Sequence, residues 1–222
     1  HDLSTLENRL SLINMSKFLL IKKKIRPFNK KIYVSGDKSL SIRWVLLASQ
    51  ARGKSRGYNL LMSEDVLAAL DSIKKLGIKV RKHKNYCEIS GNGINGFKYK
   101  KNLTINAKNS GTLGRLLLGL LIKTPQKIKL IGDKSLSKRD FSRVTIPLEK
   151  FGAKFNYTIK NKLPLTILGS EFPKGIKYLE DKGSAQCKSS VMLAALNSSG
   201  KTLIKAKKSR NHSELLFKYL KI

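Results

Sequence analysis

Asn109-Ser110-Gly111-Thr112-Leu113-Gly114-Arg115 runs directly into Leu116-Leu117-Leu118-Gly119-Leu120-Leu121. A small, polar, basic turn feeds an apolar helix, and the same design occurs twice more. Ser35-Gly36-Asp37-Lys38-Ser39-Leu40-Ser41-Ile42-Arg43 leads into Trp44-Val45-Leu46-Leu47-Ala48, and Lys182-Gly183-Ser184-Ala185-Gln186-Cys187-Lys188 leads into Val191-Met192-Leu193-Ala194-Ala195-Leu196. Each copy is followed by a second helical element: Asp65–Leu70 before Leu76-Gly77-Ile78, Ser142–Leu148 before Phe151-Gly152-Ala153, and His212–Phe217 before Leu220-Lys221-Ile222. Internal repetition governs the fold class. Each copy also sets small residues and a cation at a helix start, where free N–H groups and the helix dipole favour anions.

Working outward from these turns gives the order β-α-β-α-β-β. In the first copy, Lys31–Val34 alternates as a strand does, and Ser39 or Ser41 can cap a helix running to about Gln50. Arg52-Gly53-Lys54 reads as a break and Ser55–Leu61 as a short strand. Ser63 can cap a second helix that has Glu64 and Asp65 in its first turn, Lys74 and Lys75 in its last, and Gly77 at its end. Val80–Lys84 and Tyr86–Ser90 make a hairpin. The second copy repeats this with strand Leu103–Asn106, a helix from Thr112, strand Lys127–Ile131, a helix from about Phe141, and strands Lys154–Thr158 and Leu165–Leu168. Pro147 predicts a kink in that last helix or a later start. The third copy supplies strand Ile176–Leu179, a helix from Ser184, strand Thr202–Ala206 and a helix from His212, but no hairpin. The expected class is α/β of the α+β type: three consecutive βαβαββ units, at about 31–100, 101–170 and 175–222, form one domain with the third unit truncated. Residues 1–24 read as a leader or extension outside the core, with Met15 a plausible start.

Composition narrows the function classes. The net charge is +32, with 46 Lys and Arg against 14 Asp and Glu. Such a charge attracts nucleic acid or small anions. The cations are spread from Lys17 to Lys221 rather than gathered on one tail, which favours a solvated, Lys-rich surface over a phosphate-backbone binder. Cys87 and Cys187 have no metal-ligand spacing and read as buried free thiols in a reducing, cytoplasmic setting. No apolar run reaches membrane-spanning length. Gly36-Asp37-Lys38-Ser39 lacks the upstream glycine of a phosphate-binding P-loop, and there is no HExxH or nucleophile elbow. His83 reads as solvated, and His212 as a surface or capping residue. Glu64, Asp65, Glu180 and Asp181 read as helix-start and solvated charges.

Five clusters occur in order: Lys38-Ser39 with Arg43; Asn109 with Gly111-Thr112 and Arg115; Gly132-Asp133 with Arg139; Ser184-Ala185-Gln186 with Lys188; and Ser209-Arg210-Asn211-His212 with Glu214. Together they resemble the 5-enolpyruvylshikimate-3-phosphate synthase family over about residues 25–222. The resemblance implies the first domain of the enolpyruvyl transferase fold, with the second domain absent. It implies transfer of an enolpyruvyl group from phosphoenolpyruvate to shikimate 3-phosphate with release of phosphate, a step toward chorismate and aromatic amino acids, and no cofactor or metal. By the same resemblance, Lys38 would be catalytic and touch both substrates. Gly111 and Arg139 would bind phosphoenolpyruvate. Ser39, Arg43, Ser184, Gln186 and Ser209 would bind shikimate 3-phosphate, and Asn109, Thr112 and Arg115 would shape the loop.

The match has departures. Asp140 follows Arg139 where the family usually has proline, and its carboxylate is expected to weaken the arginine's grip on anions. Leu116 also stands where proline is usual. In the family the acid and base of the reaction lie in the second domain, so this chain is expected to bind shikimate 3-phosphate weakly and to turn nothing over alone. Two alternatives are a UDP-N-acetylglucosamine enolpyruvyl transferase, which usually carries a reactive cysteine in the loop matching Gly132–Arg139, and a basic nucleic-acid-binding module. The first lacks its cysteine here; the second lacks interleaved aromatic residues. Neither a membrane nor a specific nucleic acid is an expected partner.

Overall fold

The computed structural model describes Leu20, Pro27 and residues 29–222. Residues 35–222 form one compact unit. Apart from Leu20, the expected leader at 1–24 lies outside the described residues. Lys31–Val34 carries no strand assignment, contrary to its alternation, and Ile32, Tyr33 and Val34 are largely exposed. Alternation makes a strand only where a neighbouring strand completes a ladder.

The 35–222 unit begins with α1 (Lys38–Gln50), β1 (Arg52–Tyr58), α2 (Glu64–Lys75), β2 (Lys79–Lys82) and β3 (Tyr86–Asn92). Then come β4 (Leu103–Asn106), α3 (Gly111–Leu120), β5 (Ile128–Ile131), α4 (Lys134–Ser137), α5 (Ser142–Lys150), β6 (Lys154–Tyr157) and β7 (Leu165–Leu168). The chain finishes with β8 (Lys177–Glu180), α6 (Ala185–Ala195), β9 (Leu203–Ala206) and α7 (His212–Leu220). The described strands form three sheets of order β1-β3-β2, β4-β5-β7-β6 and β8-β9. β4 runs parallel to β5, and β8 to β9, each pair joined through a helix. β1-β3, β2-β3, β5-β7 and β6-β7 are antiparallel.

Several boundaries moved for identifiable reasons. The strand expected at Ser55–Leu61 starts instead at Arg52. Arg52↔Asn92 through Tyr58↔Tyr86 pair along its whole length, so the charged triplet that read as a break is an outward-facing strand start. Asp37, not Ser39 or Ser41, caps α1 by accepting the Leu40 N–H at 2.7 Å. α4 was not predicted; Asp133 caps it, but four residues are too few to show a helical period. Pro147 lies inside α5, which starts at Ser142. The missing N–H leaves the Arg143 carbonyl without its usual helical donor.

The buried apolar residues form one cluster that runs through α1, α2, α3 and α6 and the strands beneath them. In α3, Leu113, Leu116, Leu117, Leu118 and Leu120 are all buried, so tertiary burial holds a helix that contains three glycines. Gly119 explains how closely α6 approaches. A Cβ built there would sit 2.2 Å from the Ser190 carbonyl oxygen. The Ser190 hydroxyl then donates to the Arg115 carbonyl at 2.8 Å and ties the two helices. On α1 the indole of Trp44 lies across Gly57 of β1, where a Cβ would come within 2.8 Å of the ring. Cys87 and Cys187 are buried and free. His83 is exposed and stacks on Tyr86 at 4.3 Å.

Candidate active site

Each of the three turns that set the fold ends at a capped helix start. Asp37 caps α1, Ser110 caps α3 by accepting the Leu113 N–H at 3.2 Å, and Ser184 caps α6 by accepting the Cys187 N–H at 3.2 Å. A cap at each site satisfies one of the exposed N–H groups and leaves others facing outward.

Arg43 is the most telling side chain. It is 4% exposed and enters no salt bridge among the described residues. Its Nε donates to Ser213 Oγ at 2.8 Å, its Nη2 to Ser189 Oγ at 3.0 Å and its Nη1 to the Ser39 carbonyl at 3.1 Å. The two hydroxyl protons point elsewhere: Ser213 donates to Ser189 at 2.6 Å, and Ser189 donates to the Ala185 carbonyl at 2.6 Å. Both oxygens therefore offer lone pairs to the guanidinium. A buried cation is here held by neutral hydroxyls, so its charge stays uncompensated at contact range. Burial pushes the Arg43 pKa below the usual arginine range and the nearby Arg210 adds to this, while Glu214 and Asp37 oppose it.

A second cluster surrounds Gly111. A Cβ at Gly111 would lie 2.8 Å from Arg115 Nη1 and 3.1 Å from Arg139 Nη1, so the two guanidiniums are neighbours. Arg115 Nη1 donates to Gln186 Oε1 at 2.9 Å, and Gln186 Nε2 donates to Thr112 Oγ1 at 2.9 Å. Arg115 also lies over the Phe141 ring at 5.1 Å. Burial lowers the Arg115 pKa, and the charges of Arg139 and Arg143 lower it further, against a raising influence from Cys187. Gln186 and Ser189 are three residues apart on α6 and share a face, so this helix joins the Arg115 cluster to the Arg43 cluster.

Asp140 forms no ion pair with Arg139 among the described residues. Its Oδ1 accepts the Ser142 N–H at 2.6 Å at the start of α5, while its carbonyl takes Arg115 Nη2 at 3.4 Å. The Ser142 hydrogen bonds hold the Asp140 carboxyl below the usual range, with Arg115 and Arg143 contributing.

The side chains of Lys38, Asn109 and Ser209 make no hydrogen bond to these two clusters. Lys38 pairs with Asp65 at 3.0 Å, so Asp65 does more than suit a helix start. Asn109 is exposed and its carbonyl accepts the Gly111 N–H at 3.1 Å; a side-chain bond in this loop comes from Asn106, whose Oδ1 accepts the Lys108 N–H at 2.8 Å. Ser209 has a buried hydroxyl with no partner, beside an open cleft of about 360 Å³ lined also by Lys188, Asn211 and Glu214. Lys188 is buried and ion-paired with Glu214. Sequence reasoning missed Ser189 and Ser213, because their meeting with Arg43 is long-range and leaves no local signal.

Glu180 is a clear correction. It is not solvated but 3% exposed. Burial raises its pKa, but hydrogen bonds from Tyr178 and from the Ser184 and Lys182 N–H groups, with the charge of Arg143, more than reverse this and hold it below the usual range. Burial and the carboxylate together push the Tyr178 hydroxyl well above its usual value. Glu88 is also held low, chiefly by its hydrogen bond from Arg56, with Lys54 adding to this. A carboxyl depressed in the fold contributes stability that is complete above its unfolded pKa, about 4.3, and is lost as pH falls through the folded value. The melting midpoint is therefore expected to fall as pH drops below about 4.3. Glu180→Gln should flatten that dependence, as calorimetric melts across pH will show.

A family model described as EPSP synthase (3-phosphoshikimate 1-carboxyvinyltransferase) matches residues 22–222. The chain belongs to the EPSP synthase family. It is 38% identical to the 3-phosphoshikimate 1-carboxyvinyltransferase of Zymomonas mobilis over 201 residues, 90% of this chain and 44% of that enzyme. It is 38% identical over 187 residues to that of Streptococcus mutans, 83% of this chain and 44% of that one. A solved EPSP synthase from Acinetobacter baumannii superposes with a TM-score of 0.80 at 34% identity, over 85% of this chain and 43% of that one. The chain thus spans less than half the length of these EPSP synthases. Among the described residues, no helix is long and apolar enough to cross a membrane, and no group of three or more His, Cys, Asp or Glu could hold a metal ion.

Proposed function

We propose that this chain supplies the shikimate 3-phosphate site and part of the phosphoenolpyruvate site of an enolpyruvyl transferase acting in the cytoplasm. Its three βαβαββ units, the first without a described leading strand and the third without a hairpin, make up one domain over residues 25–222. One observation carries this reading: Arg43, a buried guanidinium held by hydroxyls, needs an anion to compensate it. Arg43 and Ser39 bind the carboxylate of shikimate 3-phosphate, while Ser184, Gln186 and Ser209 hold its phosphate and ring. Arg139 and the Gly111 turn take phosphoenolpyruvate, with Asn109, Thr112 and Arg115 shaping that turn. Lys38, oriented by Asp65, reaches both substrates as the catalytic cation.

In the transfer, a hydroxyl of shikimate 3-phosphate adds to the substituted alkene carbon of phosphoenolpyruvate as the methylene takes up a proton. Phosphate leaves and a proton is returned to regenerate the alkene. The acid and base for these steps lie in the portion of the relatives that this chain does not span. The chain alone is therefore expected to bind without turnover.

Calorimetric titration with shikimate 3-phosphate tests the reading, with shikimate and inorganic phosphate as controls. Saturable binding that needs both the ring carboxylate and the phosphate supports it. Binding of phosphate alone, removed by salt, would instead assign the signal to the general charge of +32. Turnover by the isolated chain would refute the assignment of acid and base to another segment.

A further inference from the structure

We propose that Glu180 is a positioning residue that sets the Lys182-Gly183-Ser184 turn and thereby the anion-binding start of α6. The inference rests on the reading of Ser184 and Gln186 as shikimate 3-phosphate ligands. The carboxylate stands at the end of β8, and its two oxygens do different things. Oε1 accepts from the Lys182 N–H at 3.0 Å, the Ser184 N–H at 3.2 Å and Arg143 Nη2 at 2.9 Å. Oε2 accepts from the Tyr178 hydroxyl at 2.7 Å.

One buried oxygen thus gathers two backbone N–H groups of a three-residue turn. Between them Gly183 sits at φ 68°, a left-handed conformation that the two flanking hydrogen bonds hold in place. The turn then delivers the Ser184 hydroxyl to the Cys187 N–H and so fixes where α6 starts. Two residues later Gln186 meets Arg115 and Thr112.

Arg143 gives the same carboxylate a second reach. It comes from α5, whose first residue, Ser142, donates its N–H to Asp140, the neighbour of Arg139. Glu180 therefore links the segment that carries Arg139 to the turn that carries Ser184. A buried carboxylate is costly unless its oxygens are filled, and here four donors fill them. The carboxylate is compensated because the turn is made, and the turn is held because Oε1 accepts its N–H groups.

The test compares Glu180→Ala and Glu180→Gln with the wild-type chain. Affinity for shikimate 3-phosphate is read by calorimetry, and exchange of the Lys182 and Ser184 amides is read without ligand. In the Gln variant Oε1 can still accept the three donors while Nε2 donates to the Tyr178 oxygen. Its affinity is expected to stay near that of the wild type. Glu180→Ala should lose roughly tenfold or more in affinity, as removal of hydrogen bonds to a charged acceptor implies, with faster exchange at both amides. A folded Glu180→Ala chain that binds like the wild type, or that exchanges these amides at wild-type rates, would overturn the proposal. Should that variant fail to fold, the Tyr178→Phe and Glu180→Gln double variant carries the test, because it keeps volume and removes the oxygen that orients the Gln amide. Absence of binding by the wild-type chain would refute the function reading itself, and the positioning role with it.

Discussion

Arg43→Met is expected to weaken the binding of shikimate 3-phosphate by about 10- to 100-fold while leaving the fold as stable as before, or more so. The two effects separate because the arginine's environment is lopsided. Hydrogen bonds to an ionised group contribute about 1.5–3 kcal/mol each, so losing the contact to a ligand carboxylate lowers affinity by about 10- to 100-fold. Folding gains little from the same side chain, since the buried charge meets only hydroxyls and a carbonyl. Replacing a buried charge with an apolar side chain of similar volume is often neutral or stabilising. The hydroxyls are not abandoned either, because Ser213 already donates to Ser189 and Ser189 to the Ala185 carbonyl. Methionine also fills the space of the arginine stem, which alanine would not. Titration calorimetry and a thermal melt on the same sample decide the matter. Unchanged affinity would remove Arg43 from the site; a large loss of stability would show that the hydroxyl cradle needs its cation.

Gly119→Ala should act in the opposite way, costing stability first and binding as a consequence. The added methyl group would meet the Ser190 carbonyl oxygen at 2.2 Å and the carbonyl carbon at 3.0 Å. Those are backbone atoms of α6 and cannot rotate aside, so the helices must part. Overpacking of this kind costs about 1–3 kcal/mol, a fall in melting midpoint of about 2–12 °C for a chain of this size. Separation of α3 from α6 would also stretch the Ser190–Arg115 tie and the Arg115–Gln186 bond. Affinity for shikimate 3-phosphate should therefore drop although no ligand-binding residue has changed. A variant with the wild-type midpoint would show that α6 has room to shift.

The periodic parts of the chain were the legible ones. The apolar run after Arg115, the helix from Glu64 to Lys75 and the strands Leu103–Asn106 and Leu165–Leu168 announce themselves because burial imposes a period on sequence. Motif residues that act at helix starts were also visible, since Ser184 and Gly111 stand at fixed offsets from an apolar helix. What stayed hidden depends on distant partners. Arg43 is 146 residues from Ser189 and 170 from Ser213, and serines carry no pattern that would reveal such a meeting. Glu180 looked like one more surface charge because its four donors come from α5, β8 and a turn whose shape the sequence does not spell out. The strand expected at Lys31–Val34 shows the converse error: local alternation was present, but alternation alone does not supply a ladder.

The indole that lies across Gly57 gives this chain a built-in optical probe. Trp44 is the single tryptophan, it packs against the core, and it follows Arg43 in the same turn of α1. Its emission comes from one place, so changes in wavelength or intensity need no deconvolution. Seating an anion on Arg43 changes the field beside the ring, and parting α1 from β1 lets water reach it. A fluorimeter can therefore follow occupancy and unfolding in one cuvette, with no label attached.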